Sequence, residues 1–181
     1  MSCLVSAARY RSHLLTPSCS SANPKDLIPI LESSKETTLT LAAAHALVLL
    51  DGGVVGDPME KTTLDALNWK LSAGDIITPQ EKDASHSALI SIRRRFQFSS
   101  SLKRMSTVSI VADPSGSGRR TLIGVKGAPE TLRGMYVNVP EHYEDTYKWF
   151  TRRGSRVLAL GYKYMDNVSS PDQVSPIVSL T

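Results

Sequence analysis

Several side chains in this 181-residue sequence could handle a flat, charged small molecule. Phe98 ends the alternating run Ile90 to Phe98 and is followed at once by Ser99, Ser100 and Ser101. Its ring can therefore stand at the mouth of a pocket, where an aromatic face can stack on a base such as adenine, a contact worth about 1–3 kcal/mol. The competing reading is a plain core aromatic, and Phe96, one pleat away on the same face, suits that better. Lys126 closes the apolar run Thr121 to Lys126 and precedes Gly127. Its methylenes can lie along apolar surface while the ammonium reaches a ligand, and Gly127 permits close backbone approach; the alternative is a lysine with its charge in water. Met105 can line a pocket as a soft apolar wall or pack in the core.

Other chemistries find less support. No G-x-x-x-x-G-K-[ST] loop occurs, and Gly116 to Thr121 lacks its spacing. No Cys, His and Asp residues fall at metal-ligand spacing, so no metal site is expected. His45 lies inside an apolar run and reads as a core histidine with its hydrogen bonds met. No Ser-His-Asp arrangement can be argued, so no catalytic residue is assigned. Arg93-Arg94-Arg95, Arg119-Arg120 and Arg152-Arg153 alternate in part with Phe96 and Phe98. A nucleic-acid-binding module is the rival this suggests, but such clusters are usually solvated faces and no nucleic-acid motif accompanies them.

The elements that must position these residues follow from periodicity and punctuation. Glu36 to Leu50 is rich in Ala and Leu and apolar almost all round, which predicts a buried helix. Asp51-Gly52-Gly53 is a turn, and Val54-Val55 a short strand. Asp57 then caps a second helix, with Pro58 in its first position and Glu60 completing a capping box by spacing; Leu64, Leu67 and Leu71 continue its apolar face. Ser72 to Ser87 reads as a loop. Ile90 to Phe98 is a strand with Ile92, Arg94, Phe96 and Phe98 on one face and Arg93, Arg95 and Gln97 on the other. Met105 to Ala112 and Thr121 to Lys126 form an antiparallel hairpin across the turn Asp113 to Gly118. Short and longer helices are expected over Pro129 to Met135 and Pro140 to Arg153, the latter stopped by Gly154, before an apolar strand over Arg156 to Lys163. The class is α+β, a mainly antiparallel sheet flanked by helices. Residues 1–24, Ser-rich with Pro17 and Pro24, read as a disordered leader, 25–165 as one domain, and 166–181 as a flexible tail.

The size is that of one domain. The net charge of +4 and pI of about 9.1 favour anionic partners without choosing among them. The two cysteines, Cys3 and Cys19, imply no disulfide framework and fit a reducing, cytosol-facing setting. The longest apolar run, Leu39 to Leu50, falls short of the roughly 20 residues a membrane span needs, so no direct membrane insertion is expected. The N-terminus is a poor secretory signal; its basic, Ser-rich character leaves a mitochondrial presequence conceivable.

Four stretches, GDPMEKTTL (Gly56 to Leu64), FSSSLKRMS (Phe98 to Ser106), KGAPE (Lys126 to Glu130) and RVLALGYK (Arg156 to Lys163), occur in this order. Together they resemble the nucleotide-binding domain of P-type ATPases over roughly Leu27 to Met165. The wider contexts AAAHALV, RRFQFSSSLKRMS and VKGAPETL are most similar to the type V, subtype A branch. Its members reside in the endoplasmic reticulum and are implicated in removing mistargeted transmembrane helices. The resemblance implies an ATP-binding role, with Mg as counter-ion of the nucleotide in the parent enzyme. It implies stacking on adenine for Phe98 and lining of the adenine end for Lys126, with Gly127 beside it. Glu60 would accept from the adenine amino group, a role that competes with its capping role, and Met105 would line the pocket. Lys103 and Arg156 would lie near the phosphates and ribose, where an Arg fork suits phosphate.

The family's DKTGT phosphorylation motif and TGD-type hinge motif are absent from this sequence. The resemblance therefore implies a module that positions ATP/ADP for partner phosphorylation, actuator and transmembrane domains, at the cytosolic face of the endoplasmic reticulum membrane. A degenerate interaction fragment without ATP binding is the remaining alternative.

Overall fold

A computed structural model describes residues 3–8, 14–17, 27–80, 88–113 and 118–165. Its centre is a run of long antiparallel strands whose alternating side chains feed two separate cores. These strands are β8 (Leu89–Ser99), β9 (Arg104–Ala112), β10 (Arg119–Gly127) and β11 (Arg156–Met165). With β1 (Cys3–Ala8), β2 (Leu14–Pro17), β3 (Leu27–Pro29), β6 (Trp69–Ser72) and β7 (Ile76–Pro79) they make a nine-stranded sheet in the order β3-β2-β1-β11-β10-β9-β8-β7-β6. Every pairing is antiparallel, as the α+β reading requires.

One face of the sheet packs against α1 (Lys35–Ala43) and α2 (Pro58–Ala66) through Leu39, Leu64, Ile90, Leu122 and Leu160. The other packs against α3 (Pro129–Arg133) and α4 (Tyr143–Thr151) through Val108, Ile123, Leu132, Tyr143 and Ala159. Leu122 with Ile123, and Ala159 with Leu160, divide between the two cores because successive strand residues point to opposite faces.

Several boundaries differ from the sequence reading. The first helix ends at Ala43 rather than Leu50, because Val48–Leu50 (β4) pairs with Gly53–Val55 (β5) across Asp51 and Gly52. Both turn residues have positive φ, 48° and 78°, the geometry of a two-residue hairpin turn for which Asp-Gly is suited. A local hairpin thus wins over an Ala/Leu pattern. Similarly, Asn68 at φ 58° stops α2, and Leu71 belongs to β6, not to the helix. The expected loop 72–87 contains β7, which zips β6 to β8; residues 81–87 lie outside the described residues.

In the expected leader, Cys3–Ala8 runs along β11 from Cys3 opposite Gly161 to Ala8 opposite Arg156, and Leu14–Pro17 extends the sheet beyond it. The open edge of β11 offers backbone partners that a Ser-rich composition does not disclose. The rest of residues 1–24 and the whole tail 166–181 lie outside the described residues.

Candidate functional site

A cleft of about 340 Å³ opens between the C-terminal end of α1, the first turn of α2 and the sheet. Its size is that of a small-molecule site. Leu41, Ala44, Met59, Met105, Leu158 and Leu160 give it apolar walls. The cleft gathers residues from sequence segments a hundred positions apart, and the reasons are local. Asp57 accepts from the Met59 N–H at 2.7 Å and Pro58 starts the helix, which sets Glu60 one turn into α2. The pairing of Lys126 with Met105 and Leu160 across β9, β10 and β11 lays those three side chains side by side.

Glu60 is nearly enclosed and spends both carboxylate oxygens. Oε1 accepts from Lys126 Nζ at 2.5 Å, and Oε2 accepts from the Ala46 N–H at 2.8 Å. It does not reach back to Asp57, so the expected capping box is not formed; the loose amide of the coil after α1 takes the carboxylate instead. Lys126 is correspondingly no solvated surface cation, with its side chain only 16% exposed.

Phe98 stands at the edge of the cleft, 62% exposed. Strict alternation would have put it on the face of Phe96, and the structure corrects this. Ile92 faces Ser109 but Arg94 faces Val108, which leaves Arg93 as a bulge. Arg94 and Phe96 therefore join the α3/α4 face, while Arg95, opposite Thr107, joins Ile92 on the α1/α2 face. A second irregularity between Phe96 and Ser99 returns Phe98 to the cleft. Phe96 is only partly buried, under the Arg94 guanidinium at 4.8 Å.

Gly127 lines the cleft and is crowded from behind. A Cβ there would sit 2.5 Å from the Lys103 carbonyl oxygen and 2.8 Å from Leu132 Cδ1. Met105 is buried in the wall, and Arg156 reaches the cleft from the exposed start of β11. Lys103 is the one expected site residue the cleft does not include. It sits in the β8–β9 turn at φ 47°, its carbonyl accepting from the Ala128 N–H at 3.0 Å and its exposed ammonium 3.6 Å from Glu130.

No family model matches the chain. Curated relatives do. The endoplasmic reticulum transmembrane helix translocase of Aspergillus fumigatus is 51% identical over 146 residues, which is 76% of this chain and 11% of the relative. The translocase of the same name in Schizosaccharomyces pombe is 42% identical over 173 residues, 91% of this chain and 14% of the relative. That of Saccharomyces cerevisiae is 41% identical over 156 residues, 84% and 12%. The chain belongs to the type V P-type ATPases. It spans about a tenth of the length of the relatives it matches.

Within this type V ATPase chain, two features of the site escaped sequence reasoning. His45 is buried as expected, but it lines the cleft. Its Nδ1 accepts from the Leu47 N–H at 3.1 Å, while Nε2 has no hydrogen-bond partner among the described residues. Burial, then the nearby Arg95 and Lys126 charges, push its pKa down to about 3, so the ring is neutral at pH 7. The second is Arg95, drawn out of the expected basic cluster to make a forked pair with Asp75 at 2.6 and 3.0 Å. A bulge that reverses side-chain parity leaves no mark on composition, so Arg95 carried no signal as part of the site, and His45 reaches the cleft from the coil after α1 rather than from the expected helix. Among the described residues no group of three His, Cys, Asp or Glu could hold a metal ion, and no helix is long and apolar enough to cross a membrane.

Proposed function

We propose that this chain is the ATP-binding module of a type V P-type ATPase that acts at the endoplasmic reticulum, with its nucleotide site on the cytosolic face of the membrane. The observation that supports this best is convergence. Glu60, Phe98, Met105, Lys126, Gly127 and Arg156 come from four separated motifs and all line one apolar-walled cleft. Phe98 offers an exposed ring for stacking on adenine. Met105 and Leu160 offer an apolar wall, Glu60 an acceptor and Lys126 a donor for the polar edge of the base, and Arg156 a cation for the ribose and phosphates.

In the parent pump the nucleotide carries Mg as counter-ion, and the γ-phosphoryl group would pass to an aspartate supplied by another domain. Such transfer depends mainly on positioning and charge stabilisation, and this module contributes the positioning of adenine. Equilibrium titration of the purified chain with ATP and ADP at low and high salt tests the reading. Binding in the micromolar-to-millimolar range, about −4 to −8 kcal/mol, that changes little with salt supports base stacking. No binding at several millimolar nucleotide removes the reading, and tight, steeply salt-dependent binding of single-stranded nucleic acid would favour the rival module.

A further inference from the structure

We infer that Arg95 is a positioning residue for this cleft, acting through the coil 44–47 and Glu60; the inference deepens the nucleotide-binding reading and rests on it for its functional arm. The coil between α1 and β4 forms one wall of the cleft through Ala44, His45 and Ala46; the Ala44 and His45 N–H groups donate back to the Thr40 and Ala43 carbonyls of α1 at 2.8 and 3.0 Å. From the His45 carbonyl to the Leu47 carbonyl its backbone is held by side chains. The Arg95 guanidinium donates from Nε to the His45 carbonyl at 3.1 Å and from Nη2 to the Leu47 carbonyl at 3.3 Å. Between those two carbonyls, the Ala46 N–H donates to Glu60 Oε2. Arg95 thus grips the coil on either side of the amide that orients the site carboxylate, and Glu60 in turn holds Lys126.

The grip has its own anchor. Asp75, at φ 58° in the β6–β7 turn, accepts the guanidinium with both oxygens, and its backbone carbonyl accepts from the Ile92 N–H at 3.0 Å. The Arg95 side chain is 12% exposed and its partner Asp75 41%, so the clamp is buried at its arginine end and meets water at its anchor, and the bonds themselves are charge-assisted. Only an arginine supplies a planar fork that can serve one carboxylate and two carbonyls at once; a lysine retains the charge and loses the geometry. The chain of contacts runs Asp75, Arg95, the 44–47 coil, Glu60, Lys126, and links the far edge of the sheet to the polar end of the cleft.

Amide hydrogen exchange and ADP titration of the purified chain test this with Arg95→Lys and the milder Asp75→Asn, using Arg94→Lys on the opposite face as control. Arg95→Lys should speed exchange at Ala46 and Leu47 with Val108 and Leu122 unchanged. It should weaken ADP binding about tenfold, and Asp75→Asn should do both to a smaller degree. In a Glu60→Gln background, Arg95→Lys should add little further loss. Unchanged exchange at Ala46 overturns the clamp, whether or not the parent chain binds nucleotide. Faster exchange with unaltered ADP affinity overturns the role in the site. An undiminished loss in the Glu60→Gln background shows that Arg95 does not act through Glu60. If the parent chain binds no ADP while Arg95→Lys still speeds exchange at Ala46, the nucleotide reading falls and the functional arm with it, and the structural clamp stands.

Discussion

Glu60 and Lys126 meet as a nearly enclosed ion pair, Oε1 to Nζ 2.5 Å, with 11% and 16% of their side chains exposed. Two groups that the sequence offers as ligand contacts, one of them also as a member of a capping box, are therefore each other's partner. A base entering the cleft has to share or displace that contact, so the pair couples local stability to ligand binding.

Lys126→Met should leave the Glu60 carboxylate enclosed without its cation and destabilise the chain by about 1–3 kcal/mol. A surface lysine, or one engaged only by ligand, would have cost little. The double change Lys126→Met with Glu60→Gln should recover part of that loss, because an enclosed pair replaced whole is often close to neutral. Urea unfolding of the single and double variants measures both numbers.

The two phenylalanines should separate cleanly. Phe98→Ala is expected to weaken ADP binding by about 1–3 kcal/mol and leave the melting temperature nearly unchanged, since the ring is 62% exposed. Phe96→Ala should do the reverse. Its ring is only partly buried, so the stability loss should be about 1–3 kcal/mol, below the 3–5 or so of a fully enclosed ring. Thermal melts with parallel titrations decide it, and a Phe98→Ala variant that binds like the parent would place the base elsewhere.

Acid should destabilise the fold through His45. The unfolded chain protonates this imidazole near 6.5 and the folded chain only near 3. The stability it contributes is whole above about pH 6.5 and drains away as the pH falls toward 3. By about pH 5 the loss attributable to His45 is on the order of 2 kcal/mol. Asp75, held low chiefly by its hydrogen bond from Arg95, adds a second loss as pH falls below its ordinary value of 3.8. Urea unfolding at neutral pH and near pH 5 should show a shallower acid loss in His45→Gln than in the parent.

Steady ATP hydrolysis by the chain alone is not expected, because the DKTGT acceptor motif is absent from its sequence. Phosphate release measured with millimolar Mg-ATP should stay at background. Turnover that disappears in Phe98→Ala would contradict the positioning-only reading.

Much of the fold was legible because its signals are local. The Asp57-Pro58 start of α2 and the hairpin of β9 and β10 rest on capping residues and period-two apolar runs. Four separated motifs supplied the seven residues expected at a nucleotide site, and six of them line one cleft. What could not be read was decided by tertiary geometry. The Arg93 bulge moves Arg95 onto the α1/α2 face and leaves Arg94 on the α3/α4 face without altering the apolar pattern. The end of α1 at Ala43 depends on a hairpin that competes with helix propensity. Lys103 shares a motif with Met105, yet a positive φ turns it toward Glu130. His45 and Ala46 line the cleft from a coil whose side-chain partners, Arg95 and Glu60, lie fifty and fourteen positions away.

Whether adenine nucleotide binds in this cleft can be read residue by residue from an amide-resolved NMR titration of the purified chain with ADP. Saturable shifts are expected, in the micromolar-to-millimolar range, concentrated at Ala46, Phe98, Met105, Lys126 and Gly127, with α4 unmoved. No shift at several millimolar ADP, or shifts confined to α4 and the opposite face of the sheet, would contradict it.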